Sequence, residues 1–180
     1  MFVYNLLVTF HGNQKGHSEL EVRERMKDLG AYVERLETCE VEGVFLIQAG
    51  GDAKVMVSQL KRLCHEDPVG FQYTHHWVPI ERWVPSNKED IRKSAVELGK
   101  GIGADETWMM HLHKRHMGEH YDDLIAYLTE PLNRGRVDLS DPDRILAVEI
   151  LGKNTGMSLL NRHELLDVNK VRVESGHGKV

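Results

Sequence analysis

What this chain of 180 residues has little of narrows the field first. Its two cysteines, Cys39 and Cys64, form no CxxC pair and have no ligand partners at metal spacing, so both read as free or buried thiols. No apolar run approaches the ~20 residues needed to cross a bilayer. The N-terminus has no basic stretch leading into an apolar signal segment, and the expectation is a cytoplasmic chain with no membrane partner. HExxH is missing, and no Ser, Cys or Lys nucleophile arrangement is visible. The sequence therefore predicts no catalytic residues, no metal, no cofactor, and a chain that is not an enzyme. An excess of positive charge is absent too, with a net charge of -5. Residues 1–85 carry nine Lys and Arg against twelve Asp and Glu, and residues 86–180 carry fourteen against sixteen. Any nucleic acid must then meet a local basic patch on an acidic molecule.

What is present is an ordinary globular composition, 41% hydrophobic and 28% charged, with strands and helices interleaved. Phe2 to Phe10 is rich in aromatic and β-branched residues and reads as a strand. Ser18 and Glu21 have the spacing of a capping box, predicting a helix over 18–29 with Leu20, Met26 and Leu29 on its apolar side. Two strands over 31–38 and 43–49, a helix after Asp52 on Val55, Val57, Leu60 and Leu63, and a last strand over 71–84 complete a ferredoxin-like order. Pro79 and Pro85 make that last strand an edge leading into a linker. A helix then starts at Ser86 or Asn87, with Ile91, Ala95, Leu98 and Ile102 on one face, and Gly99 to Gly103 form its C-terminus. A strand over 106–114, a helix opening near Gly118, and strands over 144–151 and 157–161 follow. The expected fold class is α+β: a ferredoxin-like module over 1–85, an α/β domain over 86–172 and a flexible tail over 173–180.

Eleven histidines raise metal chemistry. His111 and His113 face one side of a strand, with His116 and His120 close behind. The same alternation places Met110 and Leu112 in the core, leaving imidazoles that simply pack on the other face. His75 and His76 are adjacent strand residues and point opposite ways. The tetrad His113-Lys114-Arg115-His116 differs in kind, because it ends a strand. With Arg92 and Lys93 on the preceding helix, and Arg134 and Arg136 after the next one, it has the makings of a phosphate cradle. A solvated strand end neutralised by Glu119, Asp122 and Asp123 accounts for the tetrad equally well.

The order of these pieces resembles a known family. A helix, a strand ending in Lys114-Arg115, a helix, Val137-Asp138-Leu139, Pro142-Asp143 and the strand Ile145 to Ile150 are similar to the THUMP domain of tRNA-modifying enzymes. Residues 1–84 resemble the ferredoxin-like domain that commonly precedes it. The resemblance implies binding of tRNA near the acceptor stem and its 3′ end. It also resembles the stand-alone THUMP proteins, which implies an adaptor presenting tRNA to a separate modifying enzyme, an acetyltransferase making 4-acetylcytidine. Arg92, Lys93, His113, Lys114, Arg115, His116, Arg134 and Arg136 are the implied RNA contacts. The alternative is a ligand- or ion-responsive regulatory protein built from ferredoxin-like modules.

Overall fold

The computed structural model describes residues 3–180, and the chain folds as two units, each a five-stranded sheet with helices. One unit comprises residues 3–79 and 163–180, the other residues 80–162. Met1 and Phe2, where the first expected strand begins, lie outside the described residues.

The first unit runs β1 (Leu6–Phe10), α1 (Lys15–Asp28), β2 (Val33–Thr38), β3 (Val44–Ala49), α2 (Ala53–Glu66) and β4 (Thr74–Pro79). With the later strand β10 (Leu166–Asp167), its sheet order is β10-β4-β1-β3-β2, with every neighbouring pair antiparallel. The two helices pack Val22, Met26, Met56, Val57, Leu60 and Cys64 against Leu6, Val8, Phe45, Ile47 and Trp77. Three details depart from expectation. Helix α1 starts at Lys15, and Ser18 is no cap: its hydroxyl donates to the Gln14 carbonyl at 2.9 Å. Glu21 is buried at 5% exposure and accepts the backbone N–H groups of Gln72, Tyr73 and Thr74, so it clamps the entry to β4 instead of closing a capping box. Leu20 and Val55, expected inside, are exposed, while Val22 and Met56 face the core.

The stretch expected as one strand over 71–84 is two. Strand β4 stops at Pro79 in the first sheet, and β5 (Arg82–Pro85) lies at the edge of the second. Proline has no N–H for a ladder, which suits both a strand end and an edge. The second unit continues with α3 (Lys88–Gly99), β6 (Thr107–Arg115), α4 (Tyr121–Thr129), β7 (Arg136–Val137), β8 (Arg144–Leu151) and β9 (Asn154–Asn161). The sheet order is β5-β9-β8-β6-β7; β6 runs parallel to both β7 and β8, which requires the crossover that α4 supplies. Asn87 caps α3 by accepting the Asp90 N–H at 2.9 Å. Helices α3 and α4 cover one sheet face, where Ile91, Leu98, Leu124 and Leu128 meet Trp108, Met110, Leu112, Leu146, Val148 and Ile150.

The chain then returns to the first unit. Strand β10 (Leu166–Asp167) pairs with β4, and α5 (Val168–Glu174) buries Val168 and Val171 in the first core. The observed division therefore differs from boundaries at 85 and 172, because these apolar positions gain their burial against β4 and α2. The expected tail over 173–180 starts inside α5, and the Val180 N–H donates to Asn169 Oδ1 at 2.7 Å. Neither cysteine forms a disulfide, and burial pushes the Cys64 thiol up to about 12. No helix among the described residues is long and apolar enough to cross a membrane.

Candidate nucleic-acid interface

Strand β6 alternates as its sequence dictates. Trp108, Met110 and Leu112 point into the helix-covered core, so His111, His113 and Arg115 share the other face. The neighbouring parallel strand β8 pairs Glu149 with His113 and aims its carboxylate at the same group. Glu149 is fully buried, and a buried carboxylate persists as an ion only with partners. It has three: Arg115 Nη1 at 2.8 Å from Oε2, and His111 Nε2 at 3.2 Å and His113 Nδ1 at 3.5 Å from Oε1. Burial pushes the carboxyl up, but the hydrogen bond with His111 and the charges of His111, Arg115 and His113 outweigh it and hold Glu149 down at about 2. Arg115 also reaches His113 Nδ1 with Nη2 at 3.3 Å.

Lys114 points the other way along the strand, and its ammonium closes the loop that follows. It donates to the carbonyls of Met117 at 3.1 Å and Glu119 at 2.6 Å. His116 turns the chain in left-handed backbone at φ 58°, and its side chain is exposed. Of the tetrad, Lys114 and Arg115 thus spend their donors on the protein itself, and His116 faces solvent.

The remaining expected contacts fall elsewhere. Arg136 pairs with Thr107 at the start of β6, whereas Arg115 ends that strand. Eight residues of strand separate these positions by roughly 26 Å, too far for one phosphate cradle. Arg134 and Arg136 are both exposed, and Arg134 Nη1 donates to the Lys100 carbonyl at 3.3 Å. Gly135 between them has φ +68°, and a side chain there would strike the Glu106 carbonyl, so this turn is built for glycine. Arg92 lies over the Tyr127 ring at 4.4 Å and faces Glu130 at 3.4 Å, and Lys93 is exposed beside it.

The segment 137–143 is a fastening. Asp138 accepts from the Ser140 and Asp141 N–H groups and the Ser140 hydroxyl, contacts that lower its carboxyl below the usual range. Asp143 accepts from the Thr107 N–H and from Arg162, which lowers it likewise and ties the start of β6 to the end of β9. Val137 and Leu139 are left exposed at this edge.

Sequence reasoning missed Glu149. The available signal was a lone carboxylate among the six apolar residues of Ile145 to Leu151 in β8. With it, His111, His113 and Glu149 bring three ligating atoms within 4.8 Å of one another, a spacing that suits a divalent cation. An ion there would have to displace Arg115 from His113 Nδ1 and sit beside a guanidinium already bound to the same carboxylate. Charge balance favours the ion-pair network. His116 and His120 lie outside this cluster.

Comparison with known proteins bears on the fold. No family model and no curated protein matches the chain. Among solved structures, PH1313 from Pyrococcus horikoshii superposes with a TM-score of 0.60 at 12% identity, over 91% of this chain and 55% of that one. TrmN from Thermus thermophilus gives 0.57 at 18% identity, over 92% and 47%. A possible methylase from Clostridium difficile gives 0.52 at 10% identity, over 87% and 40%. The chain spans about half the length of these proteins, or less. The expectation of a chain that is not an enzyme is overturned here, because the same fold forms part of a protein described as a possible methylase. The motif reading of these 180 residues carries no weight against activity. The chain has the two-sheet α+β fold of PH1313 and TrmN.

Proposed function

We propose that this protein is a tRNA-binding component of a tRNA-modifying system, with a ferredoxin-like unit and a THUMP-like unit that together present tRNA to a modification centre in the cytoplasm. The observation that carries the reading is the unit of residues 80–162. There the motif order resembling THUMP is one sheet with two helices on one face, in a fold shared with TrmN. The β1-α1-β2-β3-α2-β4 order with strand order β4-β1-β3-β2 supports the ferredoxin-like assignment of the other unit. Of the eight expected contacts, Arg134, Arg136, Lys93 and His116 are exposed and serve as the RNA-facing set on this unit. Arg92 joins them from its place on Tyr127, and His113, Lys114 and Arg115 hold the end of β6 in shape behind them. Recognition proceeds through backbone phosphates and the shape of an A-form stem, with little reading of bases. The modification served is cytidine acetylation by a separate acetyltransferase, on the THUMP resemblance of Lys114-Arg115, Val137-Asp138-Leu139 and Pro142-Asp143.

Filter binding of a tRNA transcript at low and moderate salt tests the reading. Binding that weakens with salt, and weakens further in Arg134→Glu plus Arg136→Glu, is expected; no binding at low salt refutes it. Recovering the protein that co-purifies with the chain tests the acetyltransferase, and a different modifying enzyme there would discard the acetylation assignment.

A further inference from the structure

Helix α1 and the segment leading into β4 form a groove on the first unit. His17, Leu20, Glu24 and Arg25 stand at positions i, i+3, i+7 and i+8 of α1 and fall on one side of it, where they line a cavity of about 370 Å³ together with Asp67, Val69 and Tyr73. The two walls are fastened to each other. Glu21 accepts three amides of the segment, Arg25 Nη1 donates to the Gly70 carbonyl, and the His17 ring stacks on Tyr73 at 5.0 Å. Leu20 on the helix and Val69 on the segment are nevertheless 57% and 53% exposed. Single apolar side chains on a surface need no explanation, but here two from different elements line one preformed groove. Its open charge is negative. Glu24 and Asp67 are exposed; Glu24 lies 3.8 Å from Arg25 Nη2, and that guanidinium is already held by Gly70 and by an ion pair with Asp28 at 2.9 Å. A basic stripe of the same unit, Ser58 with Lys61, Arg62 and His65 on α2, lines a different cavity.

We propose that this groove is a protein-docking site, and that its occupant is a basic amphipathic segment of the modifying enzyme. An apolar side chain sits between Leu20 and Val69, and a neighbouring Lys or Arg brings its charge to Glu24 and Asp67. Charge complementarity selects this occupant. A phosphodiester or an acidic peptide would meet two carboxylates of its own sign, and an uncharged segment would cover those carboxylates without a counter-charge. A Lys or Arg answers both halves of the groove, because its methylene stem covers apolar surface while its head reaches the acid. The fastened walls keep the ordering cost on this side low. Naming the modifying enzyme as owner of the segment rests on the proposed function; the chemistry of the groove does not.

The test uses the full chain, the apolar variant Leu20→Ser plus Val69→Ser and the charge variant Glu24→Gln plus Asp67→Asn, with Val55→Ser plus Val173→Ser, exposed positions on other helices, as the control. Fluorescence anisotropy follows a labelled peptide of alternating leucine and lysine, beside leucine–glutamate and glycine–lysine counterparts. The leucine–lysine peptide is expected to bind parent and control alike, to bind each variant about fivefold more weakly, and to lose its salt dependence in the charge variant. Equal binding to parent and variants, or equal binding of the leucine–glutamate peptide, refutes the groove. The enzyme recovered with the chain is then challenged: release by the leucine–lysine peptide, and loss from the apolar variant at unchanged tRNA affinity, are expected. An enzyme that stays on both variants overturns the docking assignment while the proposed function stands. If no enzyme is recovered but the peptide still binds, the groove stands and the separate enzyme falls. If neither binds, both fall.

Discussion

The end of β6 and the exposed stripe of α2 are both basic in sequence, and they do opposite things. At the strand end, Arg115 is committed to a buried carboxylate and Lys114 to two backbone carbonyls. On α2, Arg62 and His65 face an open cavity with no acid in its lining. The contrast teaches that a cluster of Lys and Arg marks an anion site only when the fold leaves its donors unspent. At the strand end, the buried Glu149 consumes the Arg115 guanidinium.

The comparison breaks most sharply at Glu149. Glu149→Gln leaves Arg115 and the two histidines without their counter-charge, and the unit of residues 80–162 should lose about 3–5 kcal/mol of stability in denaturant unfolding. A loss below about 1 kcal/mol would show that the network is dispensable. Acid probes the same carboxylate without mutation. Its folded pKa lies below the unfolded value, so its contribution is fully present above pH ~4.5 and is lost as pH falls towards about 2. Chemical denaturation across that window should record a decline on the order of 3 kcal/mol, sharply reduced in Glu149→Gln. Lys114→Met removes two hydrogen bonds from a charged donor, and a cost of about 1–3 kcal/mol is expected from thermal unfolding. The smallest effect belongs to α2: Arg62→Gln plus His65→Gln should leave stability within about 0.5 kcal/mol of the parent, because neither side chain is buried. A large loss there would mean that the stripe is structural after all.

Much of the fold is legible along the chain. The largely apolar strands Val44–Ala49 and Arg144–Leu151, and the Asn87 cap of α3, are local signals that local structure obeys. The failures share one cause. Ser18 and Glu21 have the spacing of a capping box, yet Glu21 is drawn off by three amides more than fifty positions away. The stretch 71–84 has uniform strand composition, and only the pairing partners on either side divide it into two strands. The return of β10 and α5 to the first sheet is equally non-local.

The sequence by itself determined the alternation that puts His111, His113 and Arg115 on one face of β6, and the helical stripe of Ser58, Lys61, Arg62 and His65 on α2. Both follow from the periods of strand and helix. Tertiary structure alone decided which partners these faces meet. Glu149 reaches His113 and Arg115 only because β8 lies parallel to β6 in one register, and His163 reaches α2 only because the chain comes back to the unit it left. A period is a property of a few consecutive residues. Partnership depends on which distant segments the packing brings alongside them.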